Sequence, residues 1–124
     1  MIDLDDIIGK PHRRGGRGPD AFDCWGVVLL LAERAGFVVP ADWASRDMTR
    51  AEQRALMSEQ CRLRTDRIER PVDGCIAYSE SASHVGFAIY GRIIHATKAA
   101  GVVAWPAGLW VSTFPDVGFY QWRN

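Results

Sequence analysis

The chain has 124 residues, of which 48% are hydrophobic, and this length and composition are typical of one compact domain with its own apolar core. Its Lys and Arg residues number 15 and its Asp and Glu residues also number 15, so no net charge favours binding to nucleic acid or to an acidic membrane surface. No run reaches the roughly 18 apolar residues that a membrane-spanning helix needs. We therefore expect a single domain over residues 1–124, with no nucleic acid and no membrane among its partners.

The N-terminal part of the chain is expected to lead to a cysteine. Its first segment, MIDLDDIIGK, has neither the basic leader nor the apolar core of a signal peptide, so we expect synthesis in the cytoplasm without one. The next segment, GKPHRRGGRGPDAFD, is rich in Gly and Pro, which predicts a loop that ends at Cys24. The other cysteines are Cys61 and Cys75; no CxxC pair is present, and reduced thiols are expected.

Two helical regions follow. The apolar run that begins at Cys24 predicts a buried helix, with Asp23 as its N-terminal cap and Gly36 at its end. Between residues 40 and 70 the sequence is charged and rich in helix formers, and Thr49 and Glu52 have the spacing of a capping box. We expect an exposed helical insertion at 40–70.

The C-terminal half has the pattern of β-strands. The segments GCIAYS, HVGFAIY, RIIHAT, GVVAW and VGFYQW are short, apolar and separated by Gly-containing connections. This order predicts the α+β class, with N-terminal helices packed on an antiparallel β-sheet. A tight turn about Gly91–Arg92 is expected to pair Phe87 with Ala96 and to bring His84 and His95 to one face.

A cysteine at a helix N-terminus and a histidine on a nearby strand are the parts of a thiolate–imidazolium pair. The helix dipole and a protonated His84 would both stabilise the Cys24 thiolate. His95 is the candidate group that holds the His84 ring by its other nitrogen, and the Cys24 backbone N–H is placed to donate to an oxyanion. Two other interpretations stay open: Cys24 is an unreactive packing residue, or the same three side chains bind zinc.

Three blocks of the sequence resemble the successive motifs of the NlpC/P60 cysteine peptidases, which have a papain-like fold. The blocks are GKPHRRGGRGPDAFDCWGVV, RPVDGCIAYSE and HVGFAIYGRIIHA, and the resemblance covers residues 8–104 outside the 40–70 segment. It implies a cysteine endopeptidase with a Cys-His-His triad, in which Cys24 is the nucleophile, His84 the general base and His95 the polar third residue. It also implies that the substrate is the stem peptide of bacterial peptidoglycan. We expect that neither a cofactor nor a metal takes part.

The sequence around the cysteine differs from that of many cell-wall members of this family. Those members read Asp-Cys-Ser-Gly and have a tyrosine upstream, whereas here Trp25 follows Cys24 and His12 is near the tyrosine position. The Asp-Cys-Trp-Gly version is similar to that of members encoded with phage or prophage tail genes. We therefore expect phage tail proteins as partners and a location on the virion tail, where the protein acts on the cell wall.

Four residues are candidate contacts for the substrate: Asp23, Trp25, His12 and Arg17. Arg17 belongs to a basic run that is suited to hold a substrate carboxylate. Two further functions fit the same residues. One is a non-catalytic structural component of a tail tip, and the other is a cysteine-dependent amidase or acyltransferase that acts on another substrate through the same acyl-enzyme step.

Overall fold

The structure is a computed structural model that describes residues 2–37 and 49–123. The described residues form three helices and six strands. In chain order these are α1 (Cys24–Arg34), α2 (Arg50–Arg64), β1 (Thr65–Ile68), β2 (Ile76–Ser79), β3 (His84–Ile89), β4 (Arg92–Thr97), β5 (Gly101–Pro106), α3 (Ala107–Thr113) and β6 (Val117–Trp122). The predicted α+β class is confirmed.

The strands form one sheet in the order β1-β6-β2-β3-β4-β5, and every neighbouring pair is antiparallel. The five strands predicted from the sequence are β2 to β6 of this sheet. Helix α1 packs on β3 and β4. No helix within the described ranges is long and apolar enough to cross a membrane.

Helix α1 begins at the predicted residue because its first turn is capped and held from outside. The Asp23 carboxylate accepts the backbone N–H of Gly26 at 2.7 Å, as expected of an N-terminal cap. A Cβ atom at Gly26 would collide with the carbonyl oxygen of Gly16, so the Gly-rich loop lies directly on this turn. The loop and the start of the helix are therefore one packed unit.

The segment predicted as a helical insertion is helical only in part. Thr49 and Glu52 form the predicted capping box, and α2 ends at Arg64. Residues 65–68 form β1 instead of helix, because they pair with β6 at the edge of the sheet, for example Ile68 with Phe119. This pairing outweighs the local helix propensity. The expected helix over residues 40–48 lies outside the described residues.

Helix α3 is an element that the sequence patterns did not predict. It has seven residues between Pro106 and Pro115, too few to show a helical period. Its anchor is Trp110, which is fully buried and packs with Phe119 on the side of the sheet away from α1. Tertiary packing of one large side chain therefore maintains this short helix.

The hairpin between β3 and β4 differs from the prediction by two residues in register. Its turn is Tyr90–Gly91, both with positive φ, and Phe87 pairs with Ile94 rather than with Ala96. A shift of two residues preserves the face on which each side chain lies. His84 and His95 therefore still share a face, and their ring centroids lie 5.1 Å apart.

Alternation along β3 separates two apolar clusters. Val85, Phe87 and Ile89 belong to the cluster on the α1 side of the sheet, whereas Ala88 belongs to the cluster beneath α3. His84 is on the α3 side as well, because its ring stacks on Trp110. The N-terminus of α1 and the α3 face of β3 and β4 meet in a cleft.

Candidate active site

A cleft of about 490 Å³ lies between the first turn of α1, the start of β3 and the end of β4. Six of the seven candidate site residues line it: Cys24, His84, His95, Asp23, Trp25 and His12. The cleft brings together groups that are far apart in sequence, which is what a catalytic site requires.

The two strand histidines are directly hydrogen bonded. His84 Nε2 and His95 Nδ1 are 2.9 Å apart. His95 is 1% exposed, and its pKa is lowered to about 3, first by desolvation and then by the charge of His84. His95 is therefore neutral at physiological pH, and the unprotonated nitrogen of a neutral imidazole is able to accept a hydrogen bond from the Nε2–H of His84.

The thiol of Cys24 is in a less favourable environment for ionisation than the helix dipole alone predicts. Its pKa is raised to about 11, first by desolvation and then by the negative charge of Asp23. Backbone N–H groups of Val85 and Trp25 and the charge of Arg17 act in the opposite direction. The expectation of a resting thiolate at neutral pH is therefore wrong, because burial outweighs the stabilising groups, and the resting form is the thiol.

Arg17 forms an ion pair at the start of α1, and its contact with the substrate stays a prediction. Its Nη1 donates to Asp23 Oδ1 at 2.6 Å, the same oxygen that caps α1, and its side chain borders a neighbouring cavity. Arg17 therefore partly neutralises the capping carboxylate, which lies next to Cys24. This arrangement follows from the fold of the Gly-rich loop and is not visible in the spacing of the sequence.

Trp25 and His12 line the cleft in different ways. Trp25 is 1% exposed and belongs to the core cluster on the α1 side, so it supports the floor of the cleft. His12 is half-buried in the loop, where its backbone forms a bridge with Phe22. Of these two predicted substrate contacts, His12 has the more accessible side chain.

The cleft also contains residues that the sequence analysis missed. Helix α2 contributes Gln53, and the next residue, Arg54, donates from Nε to Ser83 Oγ at 2.7 Å, which ties α2 to the loop before β3. Arg14 and Lys98 are further cleft residues. Nothing in the charged pattern of α2 distinguishes Gln53, because only tertiary packing brings that face to the cleft.

Aromatic rings enclose the two histidines. The His84 ring stacks on Trp110, with centroids 5.4 Å apart and planes at 22°, and Phe114 lies 5.5 Å away. The His95 ring is nearly perpendicular to Trp105 at 4.4 Å and to Trp110 at 4.8 Å. Strand alternation carried a clue to Trp105, since it pairs with Ile93 and so shares a face with His95.

The described residues hold no ready-made zinc site. No group of three or more His, Cys, Asp or Glu side chains in the described part of the chain has the geometry to hold a metal ion. The hydrogen bond between His84 Nε2 and His95 Nδ1 also occupies two of the nitrogens that a metal would need. The geometry instead suits a hydrogen bond that orients the His84 ring.

No protein-family model matches this chain, and no curated protein matches it either. The function therefore has to be inferred from the chemistry of the cleft.

Proposed function

We propose that this chain is a cysteine peptidase with the papain-like fold of the NlpC/P60 family, which hydrolyses peptide bonds in bacterial peptidoglycan stem peptides as part of a phage or prophage tail. The observation that carries the proposal is the presence of Cys24, His84 and His95 in one cleft, with the two imidazoles hydrogen bonded at 2.9 Å. The Asp-Cys-Trp-Gly sequence supports the tail setting.

The reaction begins with a proton transfer from a neutral thiol. Because the pKa of Cys24 is about 11, His84 acts as a general base when the sulfur attacks the scissile carbonyl carbon, and the thiol proton moves to the imidazole. His84 Nε2 is bonded to His95, so the proton moves to Nδ1. The imidazolium then protonates the leaving amine, and water hydrolyses the remaining thioester.

The first turn of α1 supplies positive potential to this reaction. The first backbone N–H groups of a helix have no partner within the helix and point out of its N-terminus. Cys24 is the first residue of α1, so its N–H is suited to donate to the oxyanion that forms when Cys24 Sγ attacks.

The charges around the cleft favour an acidic peptide. The cationic side chains of Arg14 and Lys98 line it, and the negative charge of Asp23 is paired with Arg17. Stem peptides of peptidoglycan contain D-glutamate, and a carboxylate near the scissile bond would meet this basic rim. The charge balance therefore supports the proposed substrate class.

A non-catalytic tail-tip component is the second candidate function. The observation that favours it is the raised pKa of Cys24, because a thiol that stays protonated is ordinarily unreactive. The two candidates differ in whether the protein turns over a substrate.

The test is to incubate the protein with defined muropeptides and to identify the products by mass spectrometry. We expect wild-type protein and the control variant Cys75→Ala to cleave, because Cys75 is fully buried away from the cleft, and we expect Cys24→Ala to be inactive with unchanged thermal unfolding. Cleavage by Cys24→Ala would refute the nucleophile assignment. An absence of products from wild-type protein on the whole substrate panel would favour the tail-tip component.

A further inference from the structure

One nitrogen of the His95 imidazole is left without a hydrogen bond. Nδ1 is bonded to His84, whereas Nε2 is buried and has no hydrogen-bond partner among residues 2–37 and 49–123. The side chain is 1% exposed, so solvent does not compensate for this. A buried nitrogen in this situation needs a physical explanation.

The tautomer of His95 determines whether His84 is able to accept the thiol proton. A neutral imidazole carries its single proton on one nitrogen only. If that proton is on His95 Nε2, the Nδ1 lone pair accepts the Nε2–H of His84, and His84 Nδ1 keeps a lone pair for the thiol proton. If the proton is on His95 Nδ1, this N–H donates to His84 Nε2. A neutral His84 then carries its own proton on Nδ1, so that nitrogen is unable to accept the thiol proton.

The aromatic rings packed against the His95 ring favour a proton on its Nε2 over a lone pair. The face of an aromatic ring is electron rich, so it attracts an N–H group and repels a lone pair. The ring of Trp105 is the nearer of two perpendicular indoles, with its centroid 4.4 Å from that of His95. The other indole, Trp110, is stacked on His84, and its own Nε1 has no partner in the described residues, so it does not donate to His95 Nε2.

We propose that Trp105 is a positioning residue, which holds His95 in the Nε2–H tautomer by presenting its ring to that N–H and thereby keeps His84 in the form that accepts the thiol proton. This inference rests on the proposed function, since it assigns a task to Trp105 within the same catalytic set. The tautomer itself is a property of the free protein and is measurable without any substrate.

The first measurement is the tautomer of His95 in the full chain labelled with ¹⁵N-histidine. The chain has 3 histidines, so long-range proton–nitrogen correlation spectra at about neutral pH are simple to assign. We expect His95 Nε2 to have the chemical shift of a protonated nitrogen and Nδ1 that of an unprotonated one. A protonated Nδ1 overturns the proposal, whatever the activity of the protein.

The second measurement compares Trp105→Leu with Trp105→Phe. Leucine keeps apolar bulk without a ring, and we expect it to move the tautomer ratio about 2- to 5-fold towards Nδ1–H, the effect of losing one N–H···π contact. We expect kcat to fall in parallel and KM to change less, and phenylalanine to keep both near the wild-type values. Trp105 is half-buried, which favours folding of both variants.

The outcomes separate this inference from the proposed function. An unchanged tautomer ratio in Trp105→Leu refutes the role of Trp105 even if the wild-type protein cleaves muropeptides. Conversely, a wild-type protein that cleaves no muropeptide refutes the peptidase, while the spectra still report whether Trp105 controls the tautomer.

Discussion

Cys24 is subject to opposing influences on its pKa, and burial is the larger one. The helix N-terminus, nearby N–H groups and Arg17 favour the thiolate, yet desolvation and Asp23 raise the pKa to about 11. A thiol of this kind is activated only when a base removes its proton during attack. In the proposed mechanism the reactivity of Cys24 therefore depends on His84 rather than on a preformed ion pair.

We predict that the alkylation rate of Cys24 by iodoacetamide in the free protein rises steadily between about pH 6 and pH 10, because only the thiolate reacts. Cys61 and Cys75 are 3% and 0% exposed and are expected to react much more slowly. Peptide mapping by mass spectrometry measures all three rates. A rate for Cys24 that is already flat at mildly acidic pH would instead reveal a preformed thiolate–imidazolium pair.

A second residue-scale prediction concerns His95. The variant His95→Asn keeps an acceptor for His84 Nε2, so we expect measurable activity, whereas His95→Leu frees the His84 ring and should lower kcat by about 10²- to 10⁴-fold. KM should change little in either variant. Thermal unfolding checks that both fold, and equal activities of the two variants would show that His95 does not orient His84.

At the scale of elements, the Gly-rich loop and α1 form the unit that positions Cys24. The carbonyl oxygen of Gly16 lies where a Gly26 side chain would be, and it also accepts the backbone N–H of Asp23 at 3.0 Å. The cap and the close approach of the loop thus depend on each other. Displacement of the loop would move Cys24 and Asp23 together.

We predict that Gly26→Ala lowers the free energy of unfolding by about 1–3 kcal/mol, the cost of forcing extra volume against packed backbone. The matched control is Gly108→Ala in α3, where a Cβ meets no atom within 4 Å. There we expect a gain of about 0.5–1 kcal/mol, because alanine is the better helix former. Urea unfolding measures both, and a neutral Gly26→Ala would show that the loop yields easily.

A second contact at the cleft joins α2 to the loop before β3. The hydrogen bond from Arg54 to Ser83 joins them beside the start of β3, where His84 lies. On the other side of the same loop, Asp116 accepts the Ser79 hydroxyl and the Ser81 backbone N–H. The loop beside His84 is thus held both by α2 and by the turn between α3 and β6.

At the scale of the whole molecule, burial of cysteine and tyrosine side chains makes stability depend on pH in the alkaline range. Desolvation raises the pKa of Cys75 to about 11 and that of Cys61 to about 12, above their ordinary value of 9.0. It also raises the pKa values of Tyr78 and Tyr120. Each group binds its proton more tightly in the folded state than in the unfolded state.

We therefore predict that these groups do not change the free energy of unfolding below about pH 8. They lower it as the pH rises from about 9 towards 11, because the cysteines ionise first in the unfolded state. Urea unfolding in the presence of a reductant at about pH 7 and pH 10.5 measures the difference. In Cys61→Ala that difference should be smaller. An equal loss in this variant and in wild type would exclude Cys61 as a contributor.

The sequence by itself determined the elements whose patterns are local. The apolar run from Cys24 and the Asp23 cap predicted α1, the Thr49–Glu52 capping box predicted the start of α2, and five apolar segments predicted β2 to β6. The shared face of His84 and His95 was also predictable, because alternation along strands is insensitive to a shift of two residues.

Only the tertiary structure decided the features that depend on distant partners. Thr65–Ile68 become β1 because β6 is available to pair with them, and α3 forms because Trp110 is buried against the sheet. The ion pair of Arg17, the high pKa of Cys24 and the indole beside His95 follow from loop packing and desolvation. These quantities depend on which groups exclude water or contact one another across the fold, and no local pattern of residues contains that information.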